Sequence, residues 1–203
     1  MYLTRLRLDP RSALARRDLA DPYDMHRTLV RAFVQDSEQT PPRFLWRGEP
    51  TSAWGEPVVL VQSEEAGQWS TLEALPNYLK ETAETLEWQP EARLRVGERY
   101  RFRLFANPTV TRNGKRLGLM AEEAQLAWLA RQGVRLGFSV DAALVTGSEL
   151  LRSRKGDSRI SLLRASFEGR LIVDDADVLA RAVRTGIGPG KAFGCGLLSL
   201  GRS

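Results

Sequence analysis

Asp21-Pro22-Tyr23-Asp24-Met25-His26-Arg27-Thr28-Leu29-Val30-Arg31-Ala32-Phe33-Val34 carries every signal of a single helix. Asp21 can accept a hydrogen bond from the free amides of a first turn. Pro22 suits the first helical position, and Asp24 suits the positive end of the helix dipole. At ~100° per residue, Met25, Leu29, Ala32 and Phe33 gather on one face, which is assigned to a core. Tyr23, Arg27, Val30 and Val34 gather on another. His26 lies at the border, one turn from Tyr23.

The flanks of this helix are strands. Upstream, Tyr2 to Leu8 alternates, with Tyr2, Thr4, Leu6 and Leu8 on one side and Leu3, Arg5 and Arg7 on the other. Arg11, Arg16 and Arg17 read as a connecting loop. Downstream, Thr40-Pro41-Pro42 breaks the chain, Phe44 to Arg47 reads as a second strand, and Pro57 to Gln62 as a third, central one. Trp69 to about Lys80 is expected to be a short helix and Thr82 to Trp88 a fourth strand. The order β-α-β-β-α-β is the ferredoxin-like split βαβ arrangement. RNA-recognition domains share it, but no middle strand here has their base-stacking aromatic signature.

Gln89-Pro90-Glu91 is the best linker, which divides the chain into domains 1–89 and 90–203. A second cycle follows. In the strand within 93–107, Tyr100, Phe102 and Leu104 face one way and Arg99, Arg101 and Arg103 the other. Asn107 to Gly118 reads as a loop with Arg112, Lys115 and Arg116. Glu122 to Arg131 is an amphipathic helix whose apolar side holds Ala124, Ala127 and Trp128, with Leu126 and Leu129 alongside. Glu149 to Lys155 and Arg159 to Val173 form a hairpin around Lys155-Gly156-Asp157-Ser158. Arg152, Arg154, Lys155 and Arg159 lie at or near its tip. A helix over 175–185 and a last strand at Leu197 to Leu200 close the half. The expected fold is therefore α+β, with two tandem ferredoxin-like (RRM-like) domains.

Between that last helix and strand stands Gly186-Ile187-Gly188-Pro189-Gly190-Lys191-Ala192-Phe193-Gly194-Cys195-Gly196. Glycines let the backbone take positive φ and let another molecule approach it closely. Successive amides in such a loop can cradle an anion, and Arg181 and Arg184 precede it. A plain helix-to-strand turn would need only Gly186 and Gly188. The loop is neither a Walker A motif, since Thr185 and Ala192 hold two of its required positions, nor a G-x-G-x-x-G fingerprint, since Phe193 fills the third glycine. It reads as a contact surface for a phosphate chain, with Gly188, Gly190 and Lys191 at its centre, and this counts against a nucleotide-binding enzyme.

The 203 residues include 30 Lys and Arg against 25 Asp and Glu, a net charge of +5. The isoelectric point is about 9.8. Arginine far outnumbers lysine, and its flat fork suits bidentate phosphate contacts. Nucleic acid is the first expectation for a partner. One cysteine excludes an internal disulfide and a cysteine-built zinc site. The charged, alternating start is not a signal peptide, and no apolar run reaches membrane-spanning length, so a cytoplasmic protein is expected. His26 is the sole histidine. Its neutral ring can take a proton near neutral pH and its charged ring can donate one. Tyr23 adds a hydroxyl, and Arg27 and Arg31 add cations along the same side, so the group suits deprotonation of a nucleophile beside a phosphate. No paired acidic cluster points to a metal, and neither metal nor cofactor is expected.

Arg17 to Leu29 and Gly186 to Gly194, together with Phe102-Arg103-Leu104-Phe105-Ala106-Asn107-Pro108 and Ser166-Phe167-Glu168-Gly169-Arg170-Leu171, resemble the CasE family of CRISPR RNA-processing endoribonucleases. The resemblance covers nearly the whole chain. It implies two ferredoxin-like domains of the RAMP type and metal-independent cutting of CRISPR repeat RNA at the base of its hairpin. A 2′-hydroxyl would attack the adjacent phosphate, leaving a 2′,3′-cyclic phosphate and a 5′-hydroxyl. The product, the mature CRISPR RNA, would be kept alongside other Cascade subunits. The family histidine and tyrosine fall on His26 and Tyr23; which is acid and which base stays open. The family's basic hairpin falls near Arg152 to Arg159. A RAMP-fold RNA-binding scaffold without cleavage activity is the alternative.

Overall fold

A computed structural model describes residues 1–34, 36, 39–50, 55–155 and 158–202, the side chains of Arg154, Lys155, Ser158 and Arg159 excepted. In chain order the first cycle is β1 (Tyr2–Arg7), α1 (Ala13–Ala20), α2 (Pro22–Val30), β2 (Phe44–Gly48), β3 (Val58–Ser63), α3 (Ser70–Glu73) and β4 (Glu84–Glu87). The second is α4 (Pro90–Arg93), β5 (Arg99–Ala106), β6 (Thr109–Arg112), β7 (Lys115–Gly118), α5 (Glu122–Arg135), β8 (Phe138–Lys155), β9 (Ser158–Val173), α6 (Ala176–Thr185), a 3₁₀ turn (Lys191–Phe193) and β10 (Leu198–Arg202).

Among the described residues, eight of the ten strands form two four-stranded sheets, ordered β2-β3-β1-β4 and β10-β5-β9-β8, and β6 and β7 pair separately. In each four-stranded sheet the first and third of its strands in chain order are central and the second and fourth are the edges. That is the ferredoxin-like order, so the fold is two tandem ferredoxin-like domains. The chain divides into two compact units: Met1–Trp88 with Ser153–Ser158 and Ala192–Gly194, and Gln89–Arg152 with Arg159–Lys191 and Cys195–Ser203. Among the described residues no helix is long and apolar enough to cross a membrane.

In the first unit, Thr4 pairs with Val61 and Leu6 with Val59 across β1 and β3. All four side chains are buried on one face. That face, with Phe44 and Trp46 of β2, packs on Met25, Leu29 and Ala32, so the core lies between sheet and α2. Full burial of each large apolar side chain is worth about 1.5–3 kcal/mol. In the second unit, Tyr100, Phe102 and Leu104 are buried along β5 while Arg99 and Arg101 are exposed.

Several segments differ from the expectation, each for a local reason. The stretch around Arg16 and Arg17 is helix α1, not a loop. Ser12 caps it, its hydroxyl accepting from Ala15 N, and the Ala- and Arg-rich interior favours helix. Helix α2 is regular only to Val30; bonds from Arg31 to Thr28, Ala32 to Leu29 and Phe33 to Val30 then tighten it into 3₁₀ turns. Only Ser70–Glu73 of the expected 69–80 helix forms. Pro76 has no amide to continue it, and Asn77 turns the chain at φ 51°. The linker holds a helical turn, closed by Leu94 N donating to Pro90 O at 2.9 Å. The 107–118 loop is the hairpin β6–β7, turned by Asn113 and Gly114 at φ 49° and 72°. Asn-Gly is a strong signal for that turn. On α5 the buried face carries Gln125 rather than Ala127, because the amide of Gln125 donates to Leu119 O at 2.8 Å and to Ser148 Oγ at 3.0 Å. Strand β8 starts eleven residues before Glu149, at Phe138.

Candidate active site

Helix α2 is anchored at its start. Asp21 closes α1, its amide donating to Arg17 O at 3.1 Å, and opens α2, its Oδ1 accepting from Tyr23 N at 2.8 Å. The same Oδ1 accepts from Ser153 Oγ at 2.8 Å. Behind the helix, the enclosed Asp18 carboxylate receives Arg17 Nη2 at 2.7 Å and Tyr78 Oη at 2.8 Å. A buried charge so fully bonded keeps its neighbours in register, and breaking it from one side is costly.

His26 is half-buried and stacks on Phe44 of β2, with ring centroids 5.0 Å apart and planes 20° apart. Phe44 stacks in turn on Phe33 at 4.8 Å. His26 Nδ1 is enclosed and has no hydrogen-bond partner among the described residues. Among the described residues, then, no group fixes the ring's tautomer through Nδ1. Burial pushes the His26 pKa below its ordinary value, so the ring is neutral at physiological pH and can accept a proton. Tyr23, one turn earlier, is half-buried, and the Arg27 guanidinium lies 5.9 Å from its ring centre. Arg27 is exposed and also 3.6 Å from Asp24. Arg31 follows the helix end and is exposed.

In the glycine-rich loop, Gly186, Gly188, Gly190, Gly194 and Gly196 all take positive φ, between 74° and 97°. At two of them a side chain would be both strained and crowded. A Cβ on Gly190 would come within 2.8 Å of Leu162, and one on Gly194 within 3.1 Å of Trp46. The amides of Ile187, Cys195 and Gly196 are already used, on Gly196 O, Gly190 O and Phe105 O. Gly194 and His26 rest on the same face of one strand: His26 on Phe44, Gly194 on Trp46 two residues along, ~7 Å away at strand spacing. Sequence reading missed this platform. The alternation of Phe44 and Trp46 was its only signal.

The other predicted cations are less closely gathered. Arg152 is exposed on β8. Arg154, Lys155 and Arg159 fall on side chains outside the described residues. Gly188 and Gly190 lie in the second unit, as does the half-buried Lys191. Arg184 does not lend its charge to the loop: it grips Glu91 at 2.6 and 2.8 Å and Gln89 at 2.8 Å. That guanidinium holds the Glu91 carboxyl down to about 2. Cys195 is buried, which pushes its thiol up to about 12 and leaves it unreactive. Among the described residues no three His, Cys, Asp or Glu side chains gather as metal ligands.

A family model described as CRISPR associated protein matches residues 1–202. The chain belongs to this CRISPR-associated family. Among its relatives, the CRISPR-associated endoribonuclease Cse3 of Thermus thermophilus is 40% identical over 215 residues, covering 98% of this chain and 99% of the relative. The Cascade subunit CasE of Escherichia coli is 39% identical over 130 residues, 55% of this chain and 62% of that one. A solved structure of Thermus thermophilus Cse3 bound to an RNA representing a pre-cleavage complex superposes with a TM-score of 0.87 at 37% identity, covering 98% of each chain. The family thus enters on residues spread over both units, not on the α2 motif alone.

One expected result follows from the burial of this family member's only histidine. The single imidazole resonance of the RNA-free protein should titrate below about 6.5, the midpoint of an exposed histidine. As pH falls through that value, the unfolded chain takes up a proton before the folded one. The histidine's contribution to stability is complete above the unfolded pKa and is lost as pH falls towards the folded pKa. An NMR titration with parallel melting curves checks both. A midpoint at or above 6.5 would contradict desolvation as the dominant effect.

Proposed function

We propose that this chain is an endoribonuclease that cuts CRISPR repeat RNA at the base of its hairpin without a metal ion, and stays on the product as a Cascade subunit in the cytoplasm. The observation that carries the reading is the His26 ring: neutral, stacked on Phe44, one turn from Tyr23, and on the same strand face as Gly194. The Thermus relative, named an endoribonuclease and solved with RNA before cleavage, and the Escherichia coli relative, named a Cascade subunit, support it at 40% and 39% identity.

The reaction is a transesterification. A proton leaves the 2′-hydroxyl before the scissile bond, its oxygen attacks the adjacent phosphorus, and the 5′-oxygen of the next nucleotide leaves with a proton. His26 and Tyr23 divide these two transfers, each contributing ~10²–10⁴-fold. The charge that grows on the phosphorane oxygens calls for positive groups, for which Arg27, Arg31 and the amides of the glycine loop are the candidates. Arg152 and the basic tip of the β8–β9 hairpin hold the RNA stem.

The test is incubation with a repeat hairpin in excess chelator, with both product ends identified. Cleavage should continue and yield a 2′,3′-cyclic phosphate and a 5′-hydroxyl. Cleavage that stops while the RNA stays folded, or that leaves a 5′-phosphate, would overturn the reading. Intact RNA that is tightly bound, with metal or without, would leave only a scaffold.

A further inference from the structure

The second unit carries a basic pocket that the reaction above does not use. It has a volume of about 480 Å³ and is lined by Arg93 at the end of α4, Arg95, Glu98, Arg99 and Tyr100 at the start of β5, and Arg202 near the end of β10. Four arginines and one carboxylate residue line it.

Its walls are fixed. Gly97 N donates to Val173 O at 2.8 Å and Val173 N to Glu98 O at 3.0 Å, tying the 95–98 turn to the end of β9. Arg101 Nε donates to Arg202 O at 3.2 Å. The Tyr100 hydroxyl lies 2.6 Å from Glu98 Oε2 and 2.8 Å from Arg93 O, which holds that carboxylate against the wall. Tyr100 is buried, whereas the side chains of Arg93, Arg95 and Arg202 are exposed to an incoming ligand.

We infer that this pocket binds single-stranded RNA flanking the repeat hairpin, through its backbone phosphates. The charge ratio selects an anion, and arginine forks suit phosphate bidentately. The shape selects the strand. An A-form duplex is a stiff rod and is gripped by elements that project into its grooves. A concave pocket of this size admits a phosphate and sugar of a chain that can bend, with guanidinium planes available to stack its bases. The inference rests on the RNA-processing reading and adds a second, separate contact to it.

The experiment measures affinity across a salt series for the full chain, using the repeat hairpin alone and the hairpin with a single-stranded extension on its 5′ or its 3′ side. One extended RNA should bind more tightly than the bare hairpin and with a steeper salt slope, by about 0.7 per added phosphate contact. Arg93→Ala with Arg95→Ala should remove that increment, about tenfold at low salt, and leave affinity for the bare hairpin and its cleavage unchanged. Arg152→Ala should do the reverse, weakening both RNAs alike. Extensions that add nothing, or an increment that survives in the double variant, would overturn the inference. So would equal losses on both RNAs, which would make the pocket part of the hairpin footprint. Binding of polyglutamate at the pocket with flat RNA arms would overturn it in favour of an acidic protein partner. A wild-type chain that neither binds nor cuts the bare hairpin would instead refute the RNA-processing reading itself.

Discussion

A 2′-deoxy nucleotide placed just before the cut is expected to reduce cleavage of the repeat hairpin below detection while leaving binding unchanged. Under the proposed mechanism the attacking oxygen is then missing. The stem, its phosphates and the cations that meet them all remain, so affinity stands. The measurement is single-turnover cleavage beside equilibrium binding, for the deoxy RNA and its all-ribose parent. Continued cutting at that bond would make water the nucleophile, and His26 would then need a different partner for its proton.

The second large effect is expected from His26→Ala. The single-turnover rate should fall by at least ~10²-fold. Asp21 still caps α2, and Met25, Leu29 and Ala32 still bury its inner face. Alanine is also the better helix former. The substitution does remove one ring from the stack on Phe44, a contact worth about 0.5–1.5 kcal/mol. It also removes an enclosed nitrogen that has no partner among the described residues, which offsets part of that loss. The melting temperature should therefore shift by only a few degrees, and hairpin affinity should hold. Rate, affinity and melting measured on one preparation separate the roles. A rate that falls only in proportion to unfolded protein would make His26 structural, and an unchanged rate would make it a bystander.

The architecture was largely legible because alternation and helical spacing are local. Tyr2 to Leu8 and Tyr100 to Leu104 show their buried sides residue by residue, and the order of such segments points to the two sheets. The misread segments depend on something else. Helix α1 was overlooked because its basic surface resembles a solvated loop, although Ser12 and the alanines favoured a helix. The 69–80 segment stops as a helix before Pro76 and Asn77, and beyond them Tyr78 turns inward to Asp18, sixty residues earlier in the chain. The candidate site divides the same way. Tyr23 and His26 can be placed one turn apart from sequence alone. That residue 26 stacks on residue 44, and residue 194 on residue 46, depends on how a sheet edge meets a helix and a distant loop. No local pattern encodes that.

Asp21 joins these levels. One carboxylate oxygen serves the first turn of α2 at Tyr23 and the hydroxyl of Ser153 on the β8–β9 hairpin. Order at one end of that bridge is thermodynamically linked to order at the other, and the linkage is reciprocal. If, as proposed, RNA binds the hairpin and settles the strand at Ser153, it secures the Tyr23 amide as well, and a well-formed helix start favours the RNA by the same free energy. Hydrogen exchange at the Tyr23 amide should slow when hairpin RNA binds, and Ser153→Ala should remove that slowing. The protein would then register a bound RNA in the stiffness of helix α2 before any bond is broken.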